Sequence, residues 1–141
     1  MINLIFDIAP TPKQSVRFAG GQAYQKASVV KIGKAITLLA KQQLPKGFEP
    51  FKDCALKAEV IYVFAHNKSI SKRELQAILE GEQTGNYVRK FTKPDVTDNL
   101  NKLLFDALEG LIYANDSQIS ELHAIKVYGS KSKIILKITQ L

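Results

Sequence analysis

The chain is short of the residues that cross-link or metallate small proteins. It has one cysteine, Cys54, in 141 residues. A single thiol excludes an intramolecular disulfide and leaves a thiolate zinc site without its ligand set. Cys54 reads instead as a small buried residue at the entrance to a strand. No apolar run approaches the ~20 residues of a membrane-spanning helix, so no membrane partner is expected. The opening Met1-Ile2-Asn3-Leu4-Ile5-Phe6-Asp7 has no basic segment and meets an acid too early for a secretory signal. The two histidines, His66 and His123, lack HExxH or related spacing. His66 reads as a polar loop residue and His123 as a strand residue facing solvent. Gly20-Gly21 has neither the GxGxxG nor the Walker pattern, which argues against a nucleotide cradle there. Internal repeats and low-complexity runs are absent. A cytoplasmic protein is expected.

What is present fits one globular domain. Hydrophobic residues make up 45% of the chain, an ordinary share. A chain this long buries roughly two-thirds of its unfolded surface and needs no staples. Twenty Lys and Arg stand against thirteen Asp and Glu, a formal charge of +7. The excess is uneven: residues 1–48 carry seven basic residues and only one acid, Asp7. A basic domain suits a polyanionic partner. A solubilising charge is the plain alternative.

Ile2, Leu4, Phe6 and Ile8 alternate as a strand does, and Pro10 and Pro12 end it. The stretch from Pro10 to Gly21 reads as an irregular basic loop. A helix is predicted from about Gln22 to Gln43, with Val29, Ile32, Ile36, Leu39 and Ala40 on one stripe. Ala55 to Phe64 reads as a second strand. Residues 66–93 are polar and basic, and are expected to form a mobile loop. Within it, Ser71-Lys72-Arg73-Glu74 fits a capping box ahead of a short helix. Leu100, Leu103, Leu104, Ala107, Leu108 and Leu111 predict an amphipathic helix from about Asp98 to Gly110. Ile119–Tyr128 and Ile134–Ile138 read as strands joined in a hairpin through Gly129-Ser130-Lys131-Ser132. The expected fold is a single α/β domain over 1–141. It has a small mixed β-sheet with two main helices packed on it, in the order β-α-β-(α)-α-β-β.

The chemistry concentrates where the last helix begins. In Lys93-Pro94-Asp95-Val96-Thr97-Asp98-Asn99-Leu100-Asn101-Lys102, Asp95 and Asp98 stand at a loop-to-helix junction. Either could cap the helix, but two acids exceed what a cap needs. Asp116, in Asn115-Asp116-Ser117, returns after the helix and could be a plain turn residue. If the three carboxylates converge, they form a hard-oxygen site of the kind that holds Mg²⁺. Such a site activates water and offsets charge as a phosphodiester is attacked. Lys102 lies one helical turn beyond Asp98. It could pair with that carboxylate or stabilise phosphate charge.

The segment from Lys93 to Tyr128 closely resembles the RusA family of Holliday junction resolvases, found in phages and prophages. The family signature, K-P-D-x-D-N-L-x-K, then F-D-A-L, then a D-D or N-D pair before a strand, is matched by Lys93–Lys102, Phe105-Asp106-Ala107-Leu108 and Asn115-Asp116. More loosely, the Pro12–Arg17 loop and Tyr24 sit where such proteins carry a Pro-rich basic start and a tyrosine. The resemblance implies a metal-dependent endodeoxyribonuclease that acts in recombination and repair or in phage DNA processing. It would be a homodimer in a bacterial cell, of phage or prophage origin, using Mg²⁺ with Mn²⁺ as a substitute. It would bind branched DNA and resolve four-way junctions by paired symmetric nicks. Asp95, Asp98 and Asp116 would hold the metal, and Lys102 would be the catalytic lysine. DNA contacts are expected from Lys13, Arg17, Lys72, Arg73, Arg89, Lys90 and Lys93.

The chain departs from the signature at one point. The family places one residue between its first two acids, whereas Val96 and Thr97 both intervene here. Asp95 is therefore expected either to reach the metal through a small bulge or to have a weakened role. Two alternatives stay open. One is a non-catalytic protein that binds branched DNA, and the other is a nuclease acting mainly on flaps or forks.

Overall fold

The structure is a computed structural model. It describes residues 1–12, 17–20, 22–24 and 27–141, with the backbone alone for 17–19, 22–24 and Asp98. Four strands and three helices carry the predicted order, with one short two-stranded hairpin added. β1 is Ile2–Phe6, and β2 (Arg17–Ala19) pairs with β3 (Gln22–Tyr24). α1 spans Ala27–Gln43, β4 Leu56–Ala65 and α2 Lys72–Thr84. A π-helical turn over Val96–Leu100 runs into α3, Asn101–Leu108. A 3₁₀ turn over Asp116–Gln118 leads into β5, Ile119–Gly129, and β6 is Lys133–Gln140.

The main sheet has the order β1-β6-β4-β5, with β4 and β5 parallel and the other neighbours antiparallel. It is a mixed sheet, as expected, but β5 and β6 do not pair with each other. β6 steps across the end of β4 and inserts between β4 and β1, so the expected hairpin is wrong. The burial patterns give the reason. Ser120, Glu121, Leu122 and His123 are all exposed, which suits an edge strand, whereas β6 buries every second residue and can sit inside. The link Ser130–Ser132 closes over β4, whose last residue donates Ala65 N to Ser132 Oγ at 3.0 Å.

Leu4 and Phe6, then Leu56, Ala58, Val60 and Tyr62, then Ile134, Leu136 and Ile138 face one side of the sheet. Ile36 and Ala40 of α1 and Leu100, Leu104 and Leu108 of the π turn and α3 pack on them. Burial of each such side chain contributes about 1.5–3 kcal/mol. Tyr113 is fully buried in this core, and Cys54 packs partly buried at its margin. Thr37 Oγ1 donates to Ala107 O at 2.7 Å, which fastens α1 to the last turn of α3.

The short hairpin was not expected. It occupies residues assigned to the loop and to the first turn of the helix, so α1 begins at Ala27, not near Gln22. Gly20, at φ 57, supplies the left-handed residue such a two-residue turn requires. Each sheet edge is covered in part. Gln43 clamps Ile5 of β1, accepting from its N at 2.9 Å and donating to its O at 2.8 Å. On the other side, Tyr128 N donates to Val88 O and Lys90 N to Lys126 O, each at 2.9 Å, so residues 88–90 lie along β5. Covered edges resist pairing with other chains.

The segment 66–93 is built around a helix of 13 residues, longer than the short one expected. Ser71 Oγ accepts from Glu74 N at 3.2 Å, as the capping box predicts, and Gly85 closes the helix at φ 79. The chain then folds back tightly over α2. A Cβ at Gly81 would stand 2.8 Å from Asn86 O. Glu82 reaches the β5–β6 link and accepts from Ser130 N at 2.6 Å.

Candidate metal centre and nucleic-acid face

The extra residue between the first two acids is absorbed by the π turn. Leu100 N donates to Asp95 O at 3.3 Å, a bond spanning five residues in place of four. Such a turn holds one more residue than an α-helical turn while the chain beyond it stays in register. Asn101 and Lys102 therefore enter α3 normally, and Leu100, the last residue of the π turn, remains buried in the core.

The turn is fastened from below. Tyr62 of β4, 1% exposed, donates its hydroxyl to Asn101 Oδ1 at 2.8 Å. Asn101 Nδ2 donates in turn to Val96 O at 2.6 Å. Lys126 of β5 donates its ammonium to Thr92 O at 2.6 Å and Pro94 O at 2.7 Å. The residues on both sides of Asp95 are thus tied to the parallel pair, β4 and the edge strand β5. Burial pushes the Tyr62 hydroxyl pKa well above the ordinary tyrosine range, so it remains a donor.

Asp95 itself is exposed and lines an open cleft of ≈ 400 Å³ with Lys93, Asn99, Pro10 and Pro12. Its carboxylate takes part in no described hydrogen bond, and α3 has no side-chain cap at Leu100. Helix capping therefore does not account for Asp95. The side chain of Asp98 lies outside the described residues. Lys102 pairs with Asp106 at 3.4 Å, one turn on. More than half of the lysine is exposed, so the pair contributes at most a few tenths of a kcal/mol, about 0.3–0.5.

Asp116 opens the 3₁₀ turn, but Asn115 caps it: Asn115 Oδ1 accepts from Ser117 N at 2.9 Å, and Gln118 Oε1 accepts from Asn115 N at 3.0 Å. Gln118 also donates to Phe51 O and Cys54 O, each at 3.2 Å, pinning the turn to the start of β4. The Asp116 carboxylate is therefore not needed to hold its own turn. Its backbone N faces Glu109 Oε2 at 3.4 Å.

Two further acids emerge here. Buried Tyr113 donates its hydroxyl to Phe105 O at 2.7 Å. Burial pushes its pKa far up, and the negative charges of Asp116, Glu109 and Asp106 push it the same way. Those three carboxylates, around the end of α3, share one region of negative potential. Asp106 belongs to the F-D-A-L motif and follows Lys102 by four residues, a signal that could have found it. Glu109 had none. Among the described residues, no three His, Cys, Asp or Glu side chains gather closely enough to hold a metal ion. A complete site from these acids would need Asp98. The donor chemistry fits, since carboxylate oxygens are what Mg²⁺ takes.

The basic residues divide by position. Arg89, Lys90 and Lys93 lie on the strut leading into Asp95, and Arg89 and Lys93 are exposed. The Lys90 ammonium rests over the rings of Phe64, at 5.2 Å, and Tyr128, at 5.1 Å. Lys72 and Arg73 are exposed on the first turn of α2. Lys13 lies outside the described residues, as does the side chain of Arg17. Lys126 and Asn101 were not anticipated: neither bears a motif, and their roles come from strand and helix pairing. No helix among the described residues is long and apolar enough to cross a membrane.

Comparison with curated proteins returns no match. The family model Endodeoxyribonuclease RusA matches residues 6–139. That span covers β4, β5 and all but the last residue of β6, with the acid-bearing turn, α3 and the Asp116 turn, and the chain belongs to the RusA endodeoxyribonuclease family.

Proposed function

We propose that this protein is a Mg²⁺-dependent, structure-selective DNA endonuclease that resolves four-way junctions by paired symmetric nicks. The reading rests on family membership together with one observation: the Lys93–Lys102 motif forms a braced turn that presents Asp95 in an open cleft beside Lys93. Asp95, Asp98 and Asp116 would hold the metal. When bound, Mg²⁺ supplies an activated water and neutralises charge on the phosphodiester. Lys102 carries its ammonium on the exposed side of α3, where it would stabilise phosphate charge. Arg89 and Lys93 would hold flanking phosphates, a contact that is salt-dependent and blind to sequence. A homodimer would present two such sites related by a two-fold axis, as paired nicks require.

The test is a nicking assay on a synthetic four-way junction beside linear duplex and a flap, with and without Mg²⁺ or Mn²⁺. Paired nicks on the junction, only with metal, are expected. Asp98→Asn should keep junction binding and abolish cleavage. Wild-type cleavage by that variant would remove Asp98 from the metal site. Preferred cutting of the flap would shift the substrate to other branched DNA. Binding without cleavage in either metal would replace the nuclease reading with that of a branched-DNA-binding protein.

A further inference from the structure

Phe91 is 92% exposed, the only aromatic side chain among the large exposed hydrophobics of the described residues. It does not sit on a loose loop. The backbone on one side of it is paired to β5 through Lys90 N and Lys126 O, and Thr92 O on the other side accepts from Lys126 Nζ. A bare phenyl ring on a braced strut costs free energy in water unless something covers it.

The ring lines a cleft of ≈ 640 Å³ between α2 and the outer edge of the sheet, within the ~300–1,000 Å³ of ordinary ligand pockets. Buried Ile78 and half-buried Phe64 and Tyr128 give it an apolar floor. The Lys90 ammonium is held over those two rings, and Arg89 is exposed at the rim. The cleft thus combines flat apolar surface with the positive charge of Arg89 and Lys90, and Glu74 of α2 is the one acid among the described residues that lines it. A nucleotide complements both, with a planar base for the phenyl and an anionic phosphate for the cations. Asp95 follows Phe91 by four residues, so the cleft and the acid-bearing turn share one strut.

We propose that Phe91 is a stacking residue for an unpaired base at a DNA branch point, with Arg89 and Lys90 attracting the adjoining phosphate. This deepens the nuclease reading and rests on it. A stacked base would hold an unpaired strand over the Asp95 cleft, so Phe91 would favour branched over continuous duplex.

The chain contains no tryptophan, so Phe91→Trp installs a single indole, excited apart from the five tyrosines, at the proposed contact. Its emission should be quenched when a short oligothymidylate or a four-way junction binds, and much less by blunt duplex. Phe91→Ala should weaken junction binding about tenfold and leave duplex binding unchanged, while Phe91→Trp restores the junction affinity. Labelled-DNA anisotropy reads binding separately from cleavage. Unchanged emission at saturation, or an equal loss on junction and duplex in Phe91→Ala, overturns the stacking role and leaves the nuclease reading standing. No binding to any of these DNAs overturns both.

Discussion

The acid-bearing turn depends on a hydrogen-bond relay that starts in the core, and this dependence can be measured. Tyr62→Phe removes only a hydroxyl, at a position 1% exposed, so packing is retained. The loss leaves Asn101 Oδ1 without its 2.8 Å partner. A net hydrogen bond is worth about 1 kcal/mol, and a stranded buried acceptor can raise the cost to ~2–3 kcal/mol. Asn101→Leu keeps the volume but strands both the Tyr62 hydroxyl and Val96 O, so it should cost somewhat more, ~3 kcal/mol. In a domain of this size each kcal/mol lowers Tm by roughly 4 °C. The two effects should not add. Once Asn101 is gone the hydroxyl is a stranded donor, so removing it costs nothing further and the double variant should be at least as stable as Asn101→Leu, a coupling of ~1 kcal/mol or more. Urea unfolding of the four proteins gives the cycle. Junction cleavage is the second readout. A turn displaced by an ångström can lose ~100-fold in rate, so Asn101→Leu should cut far more slowly while binding junctions nearly as tightly. Strict additivity, or full cleavage by Asn101→Leu, would refute the relay.

Three more outcomes follow from the same geometry. Deleting Thr97 should turn the π turn into an α turn and restore the one-residue spacing of the acids, with cleavage kept within a few-fold; a stable deletion variant that no longer cuts would show that the wider turn is required. Lys126→Met keeps the stem but removes both bonds to the strut, at ~1–2 kcal/mol given its partial exposure; amide exchange over 96–100 should accelerate, and unchanged protection would mean that the strut holds without it. Tyr62 and Tyr113 both have pKa values raised by burial. Below ~10 neither state ionises, and above it only the unfolded chain releases the proton, so stability falls as pH rises, by up to about 1.4 kcal/mol per pH unit for each. Tyr113→Phe should make that alkaline loss shallower by one tyrosine's share, and an identical slope would contradict the burial of the hydroxyl.

How much of this could be read in the chain depended on whether the signal was local. The capping box at Ser71 and the alternation of β1, β4 and β6 are periodic patterns of neighbours, and each formed where expected, whereas the leucine stripe expected over 98–110 is α-helical only over Asn101–Leu108, its first turn being π-helical. The failures involved choice of partner. Gly129-Ser130-Lys131-Ser132 has hairpin chemistry, but turn chemistry does not say whether the next strand pairs with the last one or steps over it. That was decided by which strand could be buried on both sides, and exposed Ser120–His123 placed β5 at the edge. Gly20-Gly21 carried a hairpin signal, yet the helical stripe beyond it drew the start of α1 back to Gln22. At the site, Asp95, Asp98, Lys102 and Asp116 were found as a motif, whereas Asn101 and Lys126 act across 39 and 32 positions of the chain. No pattern of neighbours points to such residues.

The inserted residue shows how the fold separates two demands on one segment. Leu100 and Leu104 must stay in the core, or α3 loses the apolar face that holds it to the sheet. Asp95, ahead of them, faces outward into an open cleft. An α-helical turn would couple the two, so that an added residue rotated everything before it by about 100°. The five-residue turn takes the extra residue locally. Asn101 then fixes the turn through Val96 O, and Lys126 fixes the strut through Pro94 O. The segment that bears Asp95 is therefore held by main-chain carbonyls on both sides, independent of what its carboxylate does. That arrangement lets the carboxylate be exposed without loosening the fold. A cap role would instead have tied the charge to the helix.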